Sequence, residues 1–228
     1  PPSPANSRAR NAASLRSSIR GRAGAGRVHT LGLRVRATAL VEMGALDGLG
    51  EAEIAAMAPP EGEETLVTRL ADGREVIIGK RKTQARLQAL FDEIDAGGEY
   101  EAIVLLCTGY FPGLHSKTLL VEAQRIVDHM THALTEGSGK VGLMVPNRVQ
   151  IAEFHDVAPE GVEIVGTWSS PYGDQRFAEA AGEVRDCDVI VMHCMGYDDN
   201  HRATVRQVTG KPVLLAQRML AAGVAQLV

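Results

Sequence analysis

Two stretches of this 228-residue sequence share one pattern: AIVLLCTGY, from Ala102 to Tyr110, and VIVMHCMGY, from Val189 to Tyr197. Each opens with a continuous apolar run, which is typical of a parallel strand that helices cover on both sides. Each closes on Cys-x-Gly-Tyr. The repeat therefore predicts two buried strands, each ending at a cysteine.

Strand and helix patterns alternate around these two stretches. Further predicted strands cover residues 140–145, 162–167 and 212–215. Predicted helices cover residues 122–134, 174–185 and 199–208, and two more begin near Asn147 and Gln217. Such alternation favours right-handed crossovers and a parallel, doubly wound sheet, so we expect an α/β fold.

A β-hairpin is predicted before the first of these strands. Residues 65–70 and 74–80 are rich in β-formers and flank Asp72-Gly73, a dipeptide that tolerates the positive φ of a tight turn. Helices are predicted on either side, at residues 51–58 and 82–96, and Gly97-Gly98 ends the second.

The first 40 residues differ in kind from the rest. They hold eight Arg and no Asp or Glu, they are rich in Pro, Ser, Ala and Gly, and they begin without Met. We expect residues 1–36 to be an atypical, disordered extension, with a transit peptide, a nucleic-acid arm or an altered reading frame as alternatives. Residues 37–137 with 210–228 are then the first predicted lobe, and residues 138–209 are the second.

Composition argues against several classes of protein. A net charge of −4 and 4% aromatic residues provide neither a basic patch nor a stacking surface for nucleic acid. No apolar stretch approaches the roughly 20 residues of a membrane helix. Three cysteines beside apolar runs suit a reduced, cytoplasmic protein better than a disulfide framework. No Gly-x-Ser-x-Gly motif indicates a serine hydrolase.

Cys107 and Cys194 are the candidate catalytic residues. Ligands of open parallel sheets bind beyond the carboxyl ends of the strands, where both thiols are predicted. One thiolate and one thiol on opposite sides of a carbon acid can remove and return a proton without a metal or organic cofactor such as pyridoxal phosphate. The alternative is that each cysteine is a small core residue, as we expect for Cys187 at the start of its strand.

Further candidates lie at the same predicted edge. The backbone N–H groups beside the two cysteines are expected to hold a substrate carboxylate; they belong to Thr108, Gly109, Met195 and Gly196. Side chains after two other strands are further predicted substrate-binding residues, namely Asn147, Ser170 and Tyr172. For these three residues, an ordinary turn or a helix cap is the alternative. A zinc site is disfavoured because the spacing of the only nearby cluster is poor; that cluster is His193, Cys194, Asp198 and His201.

From about Val41 to the C-terminus, the sequence resembles the AroM family, which is related to the aspartate/glutamate racemase superfamily. The resemblance rests on five blocks: residues 44–49, 66–76, 105–109, 170–172 and 188–197. It implies two pseudo-symmetric lobes and a pairing of Cys107 with Cys194 as acid and base. The chain departs from the family in lacking a Thr-Ile-Gly-Gln-like loop near its start and in having His193 where an acidic residue is expected.

The leading hypothesis is therefore an AroM-like, cofactor-independent racemase or isomerase that acts on a small carboxylate. A binding or regulatory protein of the same fold, and an N-terminally altered inactive copy, are the alternatives. We expect no nucleic-acid or membrane partner and leave open whether two copies form a homodimer.

Overall fold

The computed structural model describes residues 40–135, 139–157, 162–173 and 175–227. The predicted extension, residues 1–36, lies outside them, as does the predicted lobe boundary at residue 137. The eight strands are β1 Thr65–Arg69, β2 Glu75–Gly79, β3 Ala102–Leu105, β4 Leu119–Glu122, β5 Lys140–Val145, β6 Glu163–Trp168, β7 Val189–Met192 and β8 Val213–Leu215.

Helices follow most of these strands. They are α1 Glu51–Ala56, α2 Lys80–Gly97, α3 Ala123–Thr135, α4 Phe177–Glu183, α5 Asp199–Thr209 and α6 Ala216–Val224, together with a 3-10 helix at Arg148–Val157. None of the helices in the described ranges is long and apolar enough to cross a membrane.

The predicted parallel α/β architecture is confirmed. One sheet has four parallel strands in the order β6-β5-β7-β8, and a second joins β3 to β4 in parallel. Alternate residues of β7 face opposite sides: Ile190 and Met192 pack in a cluster with α4 and α5, whereas Val189 and Val191 pack in a cluster with α3 and α6. Helices therefore cover the larger sheet on both faces, which makes it doubly wound.

The predicted hairpin is also confirmed. Strands β1 and β2 pair antiparallel, so that Arg69 lies opposite Glu75. Gly73 in the connecting turn has φ +92°, a conformation that glycine adopts without steric cost. The hairpin thus forms a separate two-stranded sheet that precedes α2 in the chain.

The sequence analysis missed one strand and misjudged one helix. Residues 119–122 form β4 beside β3, although the pattern placed a helix from Glu122. Four residues carry too little periodicity to reveal a strand, and its pairing with β3 decides the outcome. The helix predicted from Asn147 is a 3-10 helix.

The two lobe assignments stay a prediction. Strand β8 belongs to the four-stranded sheet, whereas α6, which follows it directly, packs against α3. The C-terminal segment therefore touches elements assigned to both lobes.

Candidate functional site

The two cysteines occupy matching turns, the Cys107 turn at residues 107–110 and the Cys194 turn at residues 194–197. Strand β3 ends at Leu105 and β7 ends at Met192, so each thiol stands two residues beyond its strand. In each turn the following glycine donates its backbone N–H to the cysteine Sγ, at 3.4 Å from Gly109 and 3.3 Å from Gly196. The repeated sequence thus folds into a repeated local structure at the carboxyl ends of two strands.

The two turns meet. The Thr108 Oγ1 donates a hydrogen bond of 3.3 Å to the carbonyl oxygen of His193, which links the residue after one cysteine to the residue before the other. The thiols are also near enough to interact electrostatically, because a negative charge on Cys107 raises the pKa of Cys194. The side chain of Thr108, a predicted substrate-binding residue, is therefore used to join the turns.

Burial makes both thiols weaker acids than usual. It raises the pKa of Cys194 to about 12; the Gly196 N–H opposes this shift, while negative charges on Cys107 and Glu75 add to it. Burial also raises the pKa of Cys107, opposed by the Gly109 N–H and the positive charge of Lys80. The positive charge of Lys80 thus favours the thiolate form of Cys107.

A buried cation supports this asymmetry. Lys80 is the first residue of α2, its side chain is only 11% exposed, and its Nζ lies 2.7 Å from Glu64 Oε1. Although it is paired with Glu64, the positive charge of this mostly buried ammonium group still favours a nearby thiolate over a thiol. No local pattern pointed to Lys80, because only the fold brings the start of α2 toward Cys107.

The β1–β2 hairpin lies against the Cys107 turn and against the loop that follows β6. A Cβ added to Gly109 would stand 3.0 Å from Leu66 Cδ2, so β1 packs on the Cys107 turn. At the other end of β1, the Arg69 guanidinium lies over the Tyr172 ring, 5.3 Å from its centroid. The sequence analysis predicted the hairpin but not its position, because no local pattern indicates which loop a hairpin packs against.

Ser170 and Tyr172 lie on the loop that follows β6. The Ser170 Oγ accepts hydrogen bonds from the N–H groups of Tyr172, at 3.0 Å, and Gly173, at 2.8 Å, and it donates to Glu75 on the hairpin. Glu75 therefore fastens the hairpin to this loop. The Ser170 hydroxyl and the Tyr172 N–H are thus hydrogen-bonded to each other, and the substrate-binding role of both residues stays a prediction.

Tyr172 also lies directly against the Cys194 turn. A Cβ added to Gly196 would overlap the Tyr172 hydroxyl and would stand 2.8 Å from Pro171 Cγ. Burial, with a smaller contribution from a negative charge on Cys194, raises the pKa of Tyr172 to about 12. The phenol is therefore a neutral hydrogen-bond donor at neutral pH.

Asn147 caps the 3-10 helix. Its Oδ1 accepts from the N–H of Val149 at 3.1 Å, and its own N–H donates to Gln150 Oε1 at 3.2 Å. This is the alternative that the sequence left open for Asn147, and its substrate-binding role stays a prediction.

Two neighbours of Cys194 and the third cysteine have side chains in the core. Met195 packs between α3 and α6, and its carbonyl oxygen accepts from Gln217 Nε2 at 2.6 Å. The buried His193 ring lies 3.6 Å from Asp128 Oδ1 on α3, on the face of β7 opposite to the one that Cys194 joins. Cys187, at 1% exposure, lies in the core as expected.

Within the described ranges, no three His, Cys, Asp or Glu side chains are arranged to hold a metal ion. His201, one residue of the disfavoured zinc cluster, is engaged at the start of α5. Its Nδ1 accepts from the N–H of Asp198 at 3.1 Å, and its ring stacks on Phe177 with centroids 4.3 Å apart.

Comparison with known proteins gives a family and several distant structures. The family model described as AroM protein matches residues 31–228. No curated protein matches the sequence.

Three solved structures illustrate the distant likeness. A glutamate racemase from Francisella tularensis subsp. tularensis SCHU S4, solved with D-glutamate, is 11% identical, with a TM-score of 0.46 over 65% of this chain and 62% of its own. The chain thus spans less than two thirds of that racemase. An arylmalonate decarboxylase is 17% identical, with a TM-score of 0.47 over 74% and 90% of the two chains. The maleate isomerase Iso from Pseudomonas putida S16 is 16% identical, with a TM-score of 0.44 over 65% and 74%.

Proposed function

The chain belongs to the AroM family, and we propose that it is a cofactor-independent racemase or isomerase acting on a small carboxylate through Cys107 and Cys194. The observation that carries the proposal is the pair of matching cysteine turns, which are joined by the Thr108 hydrogen bond and hold electrostatically coupled thiols. Two acid–base groups of one chemical type suit a reaction that runs in both directions.

The coupling supports a division of labour between the thiols. Because a charge on Cys107 raises the pKa of Cys194, the pair resists holding two negative charges at once. Loss of the first proton thus leaves one thiolate and one thiol, the distribution that proton exchange at a carbon requires. Lys80 favours the thiolate on Cys107.

The proposed reaction is a transfer of two protons. The Cys107 thiolate takes the proton from the carbon next to the carboxylate, and the electron pair of the broken C–H bond is left on the substrate as a carbanion. The Cys194 thiol then donates its proton to the opposite face of that carbon. The product is inverted, Cys107 is a thiol and Cys194 is a thiolate, and proton exchange with water restores the starting state.

Hydrogen exchange at carbon tests this proposal. Candidate acids, among them glutamate, aspartate, malate and phenylmalonate, are incubated with the protein in D₂O, and deuterium at the α-carbon is followed by NMR. We expect exchange with at least one acid and, by chiral chromatography, inversion at its α-carbon, with a loss of about 10²-fold or more in the rate of inversion in Cys107→Ser and in Cys194→Ser. Cys187→Ser is the matched control and should retain the full rate. Exchange without inversion can continue in Cys194→Ser, because Cys107 alone removes the proton, but inversion that survives in either site variant would contradict the two-thiol reaction.

A non-catalytic binding protein is the second candidate, and the depth of the thiols favours it. A thiol with a pKa of about 12 is almost entirely protonated at neutral pH. A pocket lined by a protonated thiol can bind a carboxylate without moving a proton. Thermal stabilisation by one of these acids, with no exchange at its carbon, would support this alternative.

A further inference from the structure

Arg69 is a cation over the Tyr172 ring, and no carboxylate of the described residues pairs with it. Among the described residues, no Asp or Glu oxygen lies within 4.0 Å of its guanidinium. Arg74, the other arginine near the hairpin turn, differs in this respect: its Nη2 pairs with Glu51 and its Nε lies 2.7 Å from Asp72 Oδ2. Of these two arginines, Arg74 is thus paired with carboxylates, whereas Arg69 is not paired with any carboxylate of the described residues.

The natural partner of Arg69 is engaged elsewhere. Glu75 is its cross-strand neighbour, but the Glu75 carboxylate accepts a hydrogen bond from Ser170. Arg69 is left over the face of Tyr172, 5.3 Å from the ring centroid. A cation–π contact at an exposed site is weak, so an incoming carboxylate can compete for the guanidinium.

The position of Arg69 relates it to both thiols. It contacts Tyr172, whose hydroxyl lies against Gly196, and Gly196 donates its N–H to the Cys194 sulfur. Leu66, earlier on the same strand, packs on the Cys107 turn. Strand β1 thus reaches from one cysteine turn to the loop that covers the other.

We propose that Arg69 is a substrate-binding residue that holds a carboxylate group of the ligand over the thiol pair. A guanidinium presents two parallel N–H donors to the two oxygens of a carboxylate, which fixes the orientation of the ligand as well as its charge. An anion placed between two thiols and Glu75 needs such a cation. The neutral Tyr172 hydroxyl stands beside it as a further donor. The identification of the ligand as a substrate rests on the proposed function, whereas the carboxylate contact does not.

Protection of the thiols from alkylation tests the contact. Iodoacetamide, an uncharged reagent, is applied with increasing malonate, and modification of Cys107 and Cys194 is followed by peptide mass spectrometry. Malonamide, which has the same shape without the charge, is the matched ligand control. We expect malonate to slow alkylation of both thiols in the wild type and malonamide to have little effect.

Variants of the two hairpin arginines assign the effect. In Arg69→Gln the malonate concentration needed for half-protection should rise about tenfold or more, and Arg69→Lys should fall between this variant and the wild type. Arg74→Gln removes a guanidinium from the same hairpin and should behave as the wild type. Circular dichroism of each variant shows whether the fold is kept.

Two results would overturn the assignment: no protection of the wild type by malonate, or equal protection of the wild type and Arg69→Gln. The outcome is separable from the α-carbon exchange experiment. Malonate protection through Arg69 without any exchange would support the carboxylate contact and contradict the proposed racemase. Exchange that is unchanged in Arg69→Gln would support the racemase and contradict a role of Arg69 in substrate binding.

Discussion

The Cys107 turn and the Cys194 turn have nearly the same sequence pattern and the same sulfur–glycine hydrogen bond, but they lie in different surroundings. The Cys194 turn ends in Tyr197, which is 0% exposed and donates to the Ser169 carbonyl oxygen at 2.8 Å. The Cys107 turn ends in Tyr110, which is 57% exposed. One turn is built into the core of the four-stranded sheet, and the other extends from the two-stranded sheet.

This difference teaches that a repeated motif need not give two equivalent groups. The deeper thiol, Cys194, has a pKa of about 12, and the shallower one lies near the positive charge of Lys80. The two copies of one turn thus place their thiols in different electrostatic surroundings. The following predictions test how far the two copies differ, beginning with the largest expected effect.

The two tyrosines should differ most. Replacing Tyr197 by Ala empties a fully buried site between α4 and α5 and should lower the free energy of unfolding by about 3–5 kcal/mol. Replacing Tyr110 by Ala should change it by less than about 0.5 kcal/mol, because that side chain is mainly in solvent. Urea unfolding of both variants measures this. Equal losses would mean that the two turns are equally buried.

The two glycines should differ less, but in the same sense. In Gly196→Ala the new methyl group meets Tyr172 and the ring of Pro171, so we expect a loss of about 1–3 kcal/mol in the free energy of unfolding. In Gly109→Ala the nearest atom is the end of the Leu66 side chain at 3.0 Å, which can move aside, so the loss should be smaller. Thermal unfolding of the pair provides the comparison. A greater loss for Gly109→Ala would contradict the packing of Tyr172 on the Cys194 turn.

The smallest effect concerns pH and the support behind each turn. Burial lowers the pKa of His201, whose Nδ1 accepts the Asp198 N–H after the Cys194 turn. The unfolded chain then binds the proton more readily than the folded one, so stability is full above about pH 6.5 and falls as the pH drops through the folded pKa. Asp95, which accepts from the Lys117 N–H at 2.7 Å after the Cys107 turn, has a lowered pKa. Its contribution is full above about pH 4 and is lost only in stronger acid.

Chemical unfolding at pH 5 and pH 7 separates these two supports. The stability lost between the two pH values should be smaller in His201→Asn than in the wild type, whereas Asp95→Asn should leave that difference unchanged. A pH dependence that His201→Asn does not reduce would remove His201 from the account of the Cys194 turn.

The sequence predicted those features that depend on local patterns. Apolar runs identified the main strands, Asp72-Gly73 identified the hairpin, and the repeated Cys-x-Gly-Tyr identified the two turns. Strand β4 was missed because four residues give no clear period and only β3 stabilises them as a strand.

The parts of the site that depend on distant contacts could not be predicted in the same way. Arg69, Glu75 and Lys80 are remote in sequence from both cysteines, and no local pattern says which loop a hairpin will pack against. The predicted contact of the Thr108 backbone N–H with a ligand stays a prediction, whereas no local pattern indicated that its hydroxyl joins the two turns. Such outcomes follow from tertiary packing, which periodicity does not encode.

The central claim is that Cys107 and Cys194 share one electrostatic environment, and the ionisation of Cys194 tests it most directly. In a Cys187→Ser background, the rate of Cys194 alkylation by iodoacetamide is measured against pH, with and without Cys107→Ser. The account predicts that Cys194 reacts at lower pH once Cys107 can no longer carry a negative charge. An identical pH profile in both proteins would contradict the shared site.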